Sequence, residues 1–161
     1  MASVSDFIPP ADDAVILPPP VLAMRLLRFF RAANAEGGTT MCHPHNLVVA
    51  GNWPSGSLGV SWRKFQQALM EAWSYLVAQG LVAPLPEHGD LHFITGRGLE
   101  IAAEMEPLRR LSNEARIGAG LHPRIAGTVR QHFLLGECEM AAFAATREVE
   151  IRVRELASEP S

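Results

Sequence analysis

The sequence lacks the features that mark several large functional classes. Its two cysteines, Cys42 and Cys138, lie far apart and form no Cys-x-x-Cys pair. A disulfide framework is excluded on that count, and a reduced, cytoplasmic setting is expected. No stretch reaches 18 uninterrupted apolar residues, so no transmembrane helix and no membrane partner are expected. The N-terminus is acidic and proline-rich, without the basic and apolar regions of a secretory signal. Positive charge is in deficit, with a formal net charge of -3, so any nucleic-acid surface must be a local patch. There are no internal repeats and no phosphate-binding loop. Gly96-Arg97-Gly98 has neither the lysine nor the strand–helix context that such a loop needs.

What is present is enough apolar side chain for a real core. Of 161 residues, 48% are hydrophobic and 19% charged, and this balance excludes a disordered chain. Residues 1–20 hold Pro9, Pro10, Pro18, Pro19 and Pro20 with three aspartates. They are expected to be a flexible arm, docking at most through Phe7 and Ile8. From 21 to 35, Leu22, Leu26, Phe29, Phe30 and Ala33 recur at helical spacing, with Arg25, Arg28 and Arg31 off the stripe. His45 to Ala50 reads as a short helix, and 51–60 as a Gly/Pro/Ser-rich loop flanked by Trp53 and Trp62, which anchor it. Ser61 caps the clearest helix, whose buried face is Phe65, Leu69, Trp73 and Leu76 and whose stop is Gly80. An extended stretch at 81–86, a turn at Glu87-His88-Gly89-Asp90 and a strand at 91–95 follow. Gly96-Arg97-Gly98 then opens a helix carrying Leu99, Ala102 and Ala103, which Pro107 interrupts.

Helix, short helix, long helix and two-stranded hairpin is the order of a winged helix-turn-helix, and residues 68–98 resemble the third helix and wing of prokaryotic winged-helix proteins. If the module grips DNA or RNA, the polar face of helix 61–79 supplies Arg63, Lys64, Gln66, Gln67 and Ser74, with His88 and Arg97 near the phosphates. Arginine and lysine suit phosphate or guanine, and glutamine suits adenine. A solvated helix face has the same composition, and the acids at 87 and 90 oppose phosphate, so a structural or protein-binding module stays open.

Beyond a linker at 107–120, Pro123 opens a helix with an apolar stripe of Ile125, Val129 and Phe133, and Gly136 ends it. The following helix carries Ala141 and Ala145, small residues four apart, and then a dense run of charge with Glu148–Arg152 and Glu150–Arg154 pairs. The pair should bury Ile125, Val129, Phe133, Ala141 and Ala145 against the first module or a second copy, giving a homodimer or larger assembly. His122 is expected to cap or pack beside Pro123.

Leu121-His122-Pro123-x-Ile125, Phe133-x-x-Gly136, Ala141, Ala145 and Val149-Glu150-x-x-Val153-Arg154 are similar to the start of the Ymh-type conserved domain. That domain occurs in bacteria, archaea and phages, often behind a winged-helix region, and is grouped with HEPN-like helical proteins that include ribonucleases of toxin and anti-phage systems. The resemblance covers residues 121–157 closely and 61–106 more loosely. Cys138 stands where an aromatic is usual, and the further helices of the family pattern, with their Asn-Pro-x-x-His-Arg-like segment, are missing. Arg124 or Arg130 with His132 is the substitute catalytic pair that can be written, at a spacing that does not match.

The expectation is therefore a mainly α protein with a small β-hairpin: a flexible arm at 1–20, a winged helix-turn-helix at 21–106, a linker at 107–120 and a helical hairpin at 121–161. Its function is expected to be non-enzymatic, as a nucleic-acid-binding or assembly component of a prokaryotic or phage-linked defence or regulatory system. Alternatives are a HEPN-like ribonuclease effector completed by a partner or inactive in truncated form, and a protein–protein adaptor working through Trp62 and Phe65. No catalytic residue, cofactor or metal is assigned. Cys42-x-x-His45, with His43, has zinc-ligand chemistry but no second ligand pair.

Overall fold

A computed structural model describes residues 4–35, 41–47, 62–117 and 121–158, and the chain divides into two units, Met1–Pro107 and Leu108–Ser161. Mainly helical architecture with a small antiparallel sheet is what is seen: eight α-helices and three strands among the described residues. Ser61, Trp53 and the loop at 51–60 lie outside those residues, as do 48–50 of the expected short helix.

The first unit departs from expectation at its start. Residues 4–15 are folded, as a 3₁₀ turn at Val4–Asp6 and helix α1 (Ala11–Val15), with Ile8, Ala11 and Ala14 buried. The flexible arm is thus corrected: its prolines space out short helical turns, and its few apolar side chains are enough to hold them down. Pro19 and Pro20 occupy the first turn of α2 (Pro19–Ala35), where a missing N–H costs no hydrogen bond. Helix α2 packs on α4 (Trp62–Ala78). Leu22, Leu26, Phe65, Leu69 and Leu76 are fully enclosed between and around them, each worth about 1.5–3 kcal/mol of burial. Phe30 meets Trp73 edge-on at 5.8 Å.

Between these helices lie β1 (Met41–Cys42) and α3 (Pro44–Leu47). Gly80, at φ +66°, ends α4 in a Schellman turn: its N–H bonds the Val77 carbonyl, and the Leu81 N–H bonds Leu76 at 2.9 Å. Strands β2 (Val82–Leu85) and β3 (His88–Ile94) follow. The sheet order is β1-β3-β2, all antiparallel, with Cys42 opposite His92 and Val82 opposite Ile94. The sheet therefore has a third strand that the alternation at 82–95 could not announce. Pro84 is tolerated because β2 is an edge strand. The reversal is also tighter than the expected turn at 87–90. Leu85 pairs with His88, so Pro86-Glu87 make the turn, with Glu87 at φ +71°. Gly89, Asp90 and Leu91 bulge out of β3 before the ladder resumes at His92.

Helix α5 (Gly96–Ala103) is tied to this sheet through Thr95, whose Oγ1 accepts from the Gly98 N–H and donates to the Gly80 carbonyl at 2.8 Å. Arg28 and Arg31 of α2 donate to the carbonyls of Glu104 and Ala102, both at 3.1 Å. They satisfy the open C-terminal end of α5, where cations are favoured.

In the second unit, the expected linker is corrected as well. Residues 107–116 form helix α6 (Pro107–Arg116), with Leu111 and Asn113 buried, because Pro107 begins a helix there and does not merely end one. Asn113 Nδ2 donates to the Phe133 carbonyl at 3.1 Å. Helix α7 (Pro123–Leu134) is capped by His122, whose Nδ1 accepts from the Arg124 N–H. Gly136, at φ +80°, ends it in a second Schellman turn, with Glu137 N–H on the His132 carbonyl at 2.9 Å. Helix α8 (Cys138–Ser158) returns antiparallel to α7. Arg124, at the start of α7, meets Glu155 near the end of α8 at 2.7 Å, and His132 Nδ1 meets Glu137 Oε2 at 2.6 Å beside the turn.

Candidate nucleic-acid interface

Helical spacing divides α4 into two faces. Phe65, Leu69, Ala72, Trp73 and Leu76 face the core. Arg63, Gln67, Met70, Ser74 and Val77 form the outer stripe, with Lys64 and Glu71 beside it, and all seven are exposed. Arg63, Lys64 and Gln67 thus share the first turns of the helix. Among the described residues they make no hydrogen bond or ion pair that would compete with a ligand, whereas Ser74 Oγ is spent on the Met70 carbonyl at 2.9 Å. Gln66 sits half-buried at the flank and already has an interaction of its own.

The remaining expected contacts lie elsewhere. Arg97, at the start of α5, donates through Nε to the Gln79 carbonyl at 3.3 Å. Sixteen residues of rise separate Gln79 from Arg63, about 24 Å. Its first role is to close the C-terminal end of α4, in keeping with the charge at a helix end. His88 is exposed at the β2–β3 reversal, between Glu87 and Asp90, which are exposed too. The six expected residues therefore split into a cationic cluster at one end of α4, a capping arginine at the other, and a histidine in an acidic tip.

Three further features leave no trace in the helical spacing. The outer stripe turns apolar in its second half, where Met70 and Val77 are exposed. His92 sits behind α4 with its ring edge-on to Trp73 at 5.1 Å, and its Nδ1 is buried without a hydrogen-bond partner among the described residues. Tyr75 is half-buried on α4, and burial pushes its phenol above the ordinary value. The adaptor surface expected of Trp62 and Phe65 is corrected. Phe65 is fully buried, and Trp62 packs on it at 5.6 Å, so both serve the core.

The interface residues of the second unit also face inward. Val129 and Ala141 are buried, and Ile125, Phe133 and Ala145 are half-buried. They lie along the α7–α8 pair, with Ile125, Phe133 and Ala145 keeping part of their surface exposed. The large apolar side chains left outside are Leu135, Met140, Phe143, Val149, Ile151, Val153 and Leu156.

A cleft of about 390 Å³ lies between the start of α7 and the end of α8, lined by His122, Arg124, Ile125, Glu148, Val149 and Arg152. Its two arginines both pair with Glu155, whereas Glu148 makes no ion pair among the described residues, so the expected Glu148–Arg152 pair is not formed. Glu155 accepts from both Arg124 and Arg152, which holds its carboxyl below the ordinary range and raises the Arg124 guanidinium further. Arg124 and His132 lie eight residues apart on α7, about 12 Å by helical rise. Each is paired with a different glutamate, so they form no joint acid–base pair. Among the described residues no group of three or more His, Cys, Asp or Glu is placed to hold a metal ion, and no helix is long and apolar enough to cross a membrane.

Comparison of the chain with protein-family models, curated proteins and solved structures finds no match.

Proposed function

We propose that the first unit is a winged helix-turn-helix that binds nucleic acid through the first turns of α4, and that the chain acts by binding or assembly within a prokaryotic or phage-linked defence or regulatory system. The observation that carries this reading is the exposed, uncommitted trio Arg63, Lys64 and Gln67 at the N-terminal end of the helix that follows α3. In helix-turn-helix docking it is the N-terminal residues of the second helix that reach base edges. Element order supports the module: helix, strand, helix, helix and hairpin, with β1 paired to β3. The similarity of residues 121–157 to the Ymh-type motif supplies the biological setting. Of the substitute pair, Arg124 and His132 are engaged apart, each with its own glutamate, which favours binding over bond cleavage.

Exposed Met70 and Val77, together with the acidic tip Glu87 and Asp90, favour a second reading in which the same module binds protein. Titrating isotope-labelled protein with a short duplex separates the two. Amide shifts concentrated at residues 62–67 support the first. Absence of shifts there, with a co-purifying protein bound over Met70 and Val77, supports the second.

A further inference from the structure

We propose that α8 carries a self-complementary surface, centred on Phe143, that pairs antiparallel with α8 of a second copy of this chain. This deepens the assembly half of the function proposed above and places the interface on a different face from the small-residue stripe, which lies along the α7–α8 pair.

Met140 and Phe143 are 51% and 66% exposed, and helical spacing sets them on one side of α8 with Glu139 and Arg147. Ile151, 37% exposed, extends the patch toward the C-terminal end of α8.

Charge selects the occupant. Most charges on α8 are satisfied within the chain: Glu150 binds Arg154, and Glu155 binds Arg124 and Arg152. Glu139 and Arg147 are exposed and make no side-chain ion pair or hydrogen bond among the described residues. They stand four residues before and four after Phe143, one acidic and one basic. A two-fold axis at Phe143 lays that ring on its own copy. It sets Glu139 level with Arg147 of the second copy, and Arg147 level with Glu139. A parallel pairing would set like charges level, which is destabilising. An isologous two-fold contact requires this kind of self-complementarity, and a partner of unrelated sequence has no reason to match it.

The test is sedimentation equilibrium of the full chain without nucleic acid, so its outcome is separate from that of the nucleic-acid reading. The expected mass is twice the 17.5 kDa of one chain. Phe143→Glu, on an exposed site, should keep the helical circular dichroism and raise the dimer Kd at least ~100-fold, because a central aromatic is lost on both sides of the axis. Glu139→Arg and Arg147→Glu should each raise Kd about 10-fold, and the double reversal should restore it. A wild-type chain that stays monomeric overturns the proposal. So does a dimer indifferent to Phe143→Glu, or charge reversals whose effects add instead of cancelling.

Discussion

Replacing Gly98 with alanine places a methyl group where the backbone of Leu81 already stands. The added Cβ would overlap the Leu81 carbonyl oxygen and lie 2.8 Å from Cγ2 of Ile94. Neither neighbour can yield cheaply. The Leu81 oxygen accepts from the Thr95 N–H at 3.1 Å and from Thr95 Oγ1 at 3.2 Å, and Ile94 is the buried end of β3. If α5 shifts instead, Thr95 loses its capping bond to Gly98. Overpacking of this kind costs about 1–3 kcal/mol, and a lost cap about 1 kcal/mol. The better helix propensity of alanine returns less than ~1 kcal/mol, which leaves a net cost of about 2–3 kcal/mol. For a unit of this size the melting temperature should fall by about 10–15 °C. Urea unfolding followed by tryptophan fluorescence reads the change, since Trp73 lies in the core of this unit. Gly89→Ala, with nothing within 4 Å of its added Cβ, is the control and should stay within about 0.5 kcal/mol of the parent. Equal stability of the two variants would refute the close approach of α5 to Leu81.

Two further outcomes concern the second unit. Gly127, inside α7, has open space at its Cβ position, so Gly127→Ala should stabilise by about 0.5–1 kcal/mol in thermal unfolding. Glu155 has its carboxyl lowered by Arg124 and Arg152. Its contribution is therefore complete above the ordinary glutamate range near pH ~4.3, and is lost as pH falls through the lowered folded value. Glu155→Gln should flatten the acid limb of the unfolding profile, by an amount that shrinks with added salt because the pair is exposed.

The sequence made the long helices legible through spacing. Phe65, Leu69, Trp73 and Leu76 repeat at helical intervals and are buried together, and Gly80 and Gly136 mark left-handed stops that both close Schellman turns. Short elements were hidden because their stability comes from tertiary contact. Strand β1 is two residues long and exists by pairing with β3. Helix α1 is held by burial of Ala11 and Ala14, whose small side chains leave almost no periodic signal. Proline is a breaker by propensity, yet Pro10 precedes α1 directly, and Pro19 and Pro107 open α2 and α6. Spacing placed Arg63, Lys64 and Gln67 on one end of the helix, and all three are exposed there. It could not show that Arg97 closes α4, because that bond joins residues 18 apart to a carbonyl exposed only by the Gly80 turn. The small-residue stripe of α8 was legible as a packing face, but sequence alone does not say whether such a face is filled from within the chain.

Salt dependence of binding to a fluorescent duplex, measured by anisotropy between about 50 and 200 mM salt, addresses the central claim most directly, because each neutralised phosphate contributes about −0.9 to the slope of log K against log salt. The account predicts measurable binding at the low end, and a slope brought closer to zero by about 2 when Arg63 and Lys64 are both replaced by alanine. A wild-type chain that leaves the duplex unbound at low salt, or a double variant with the parental slope, would contradict it.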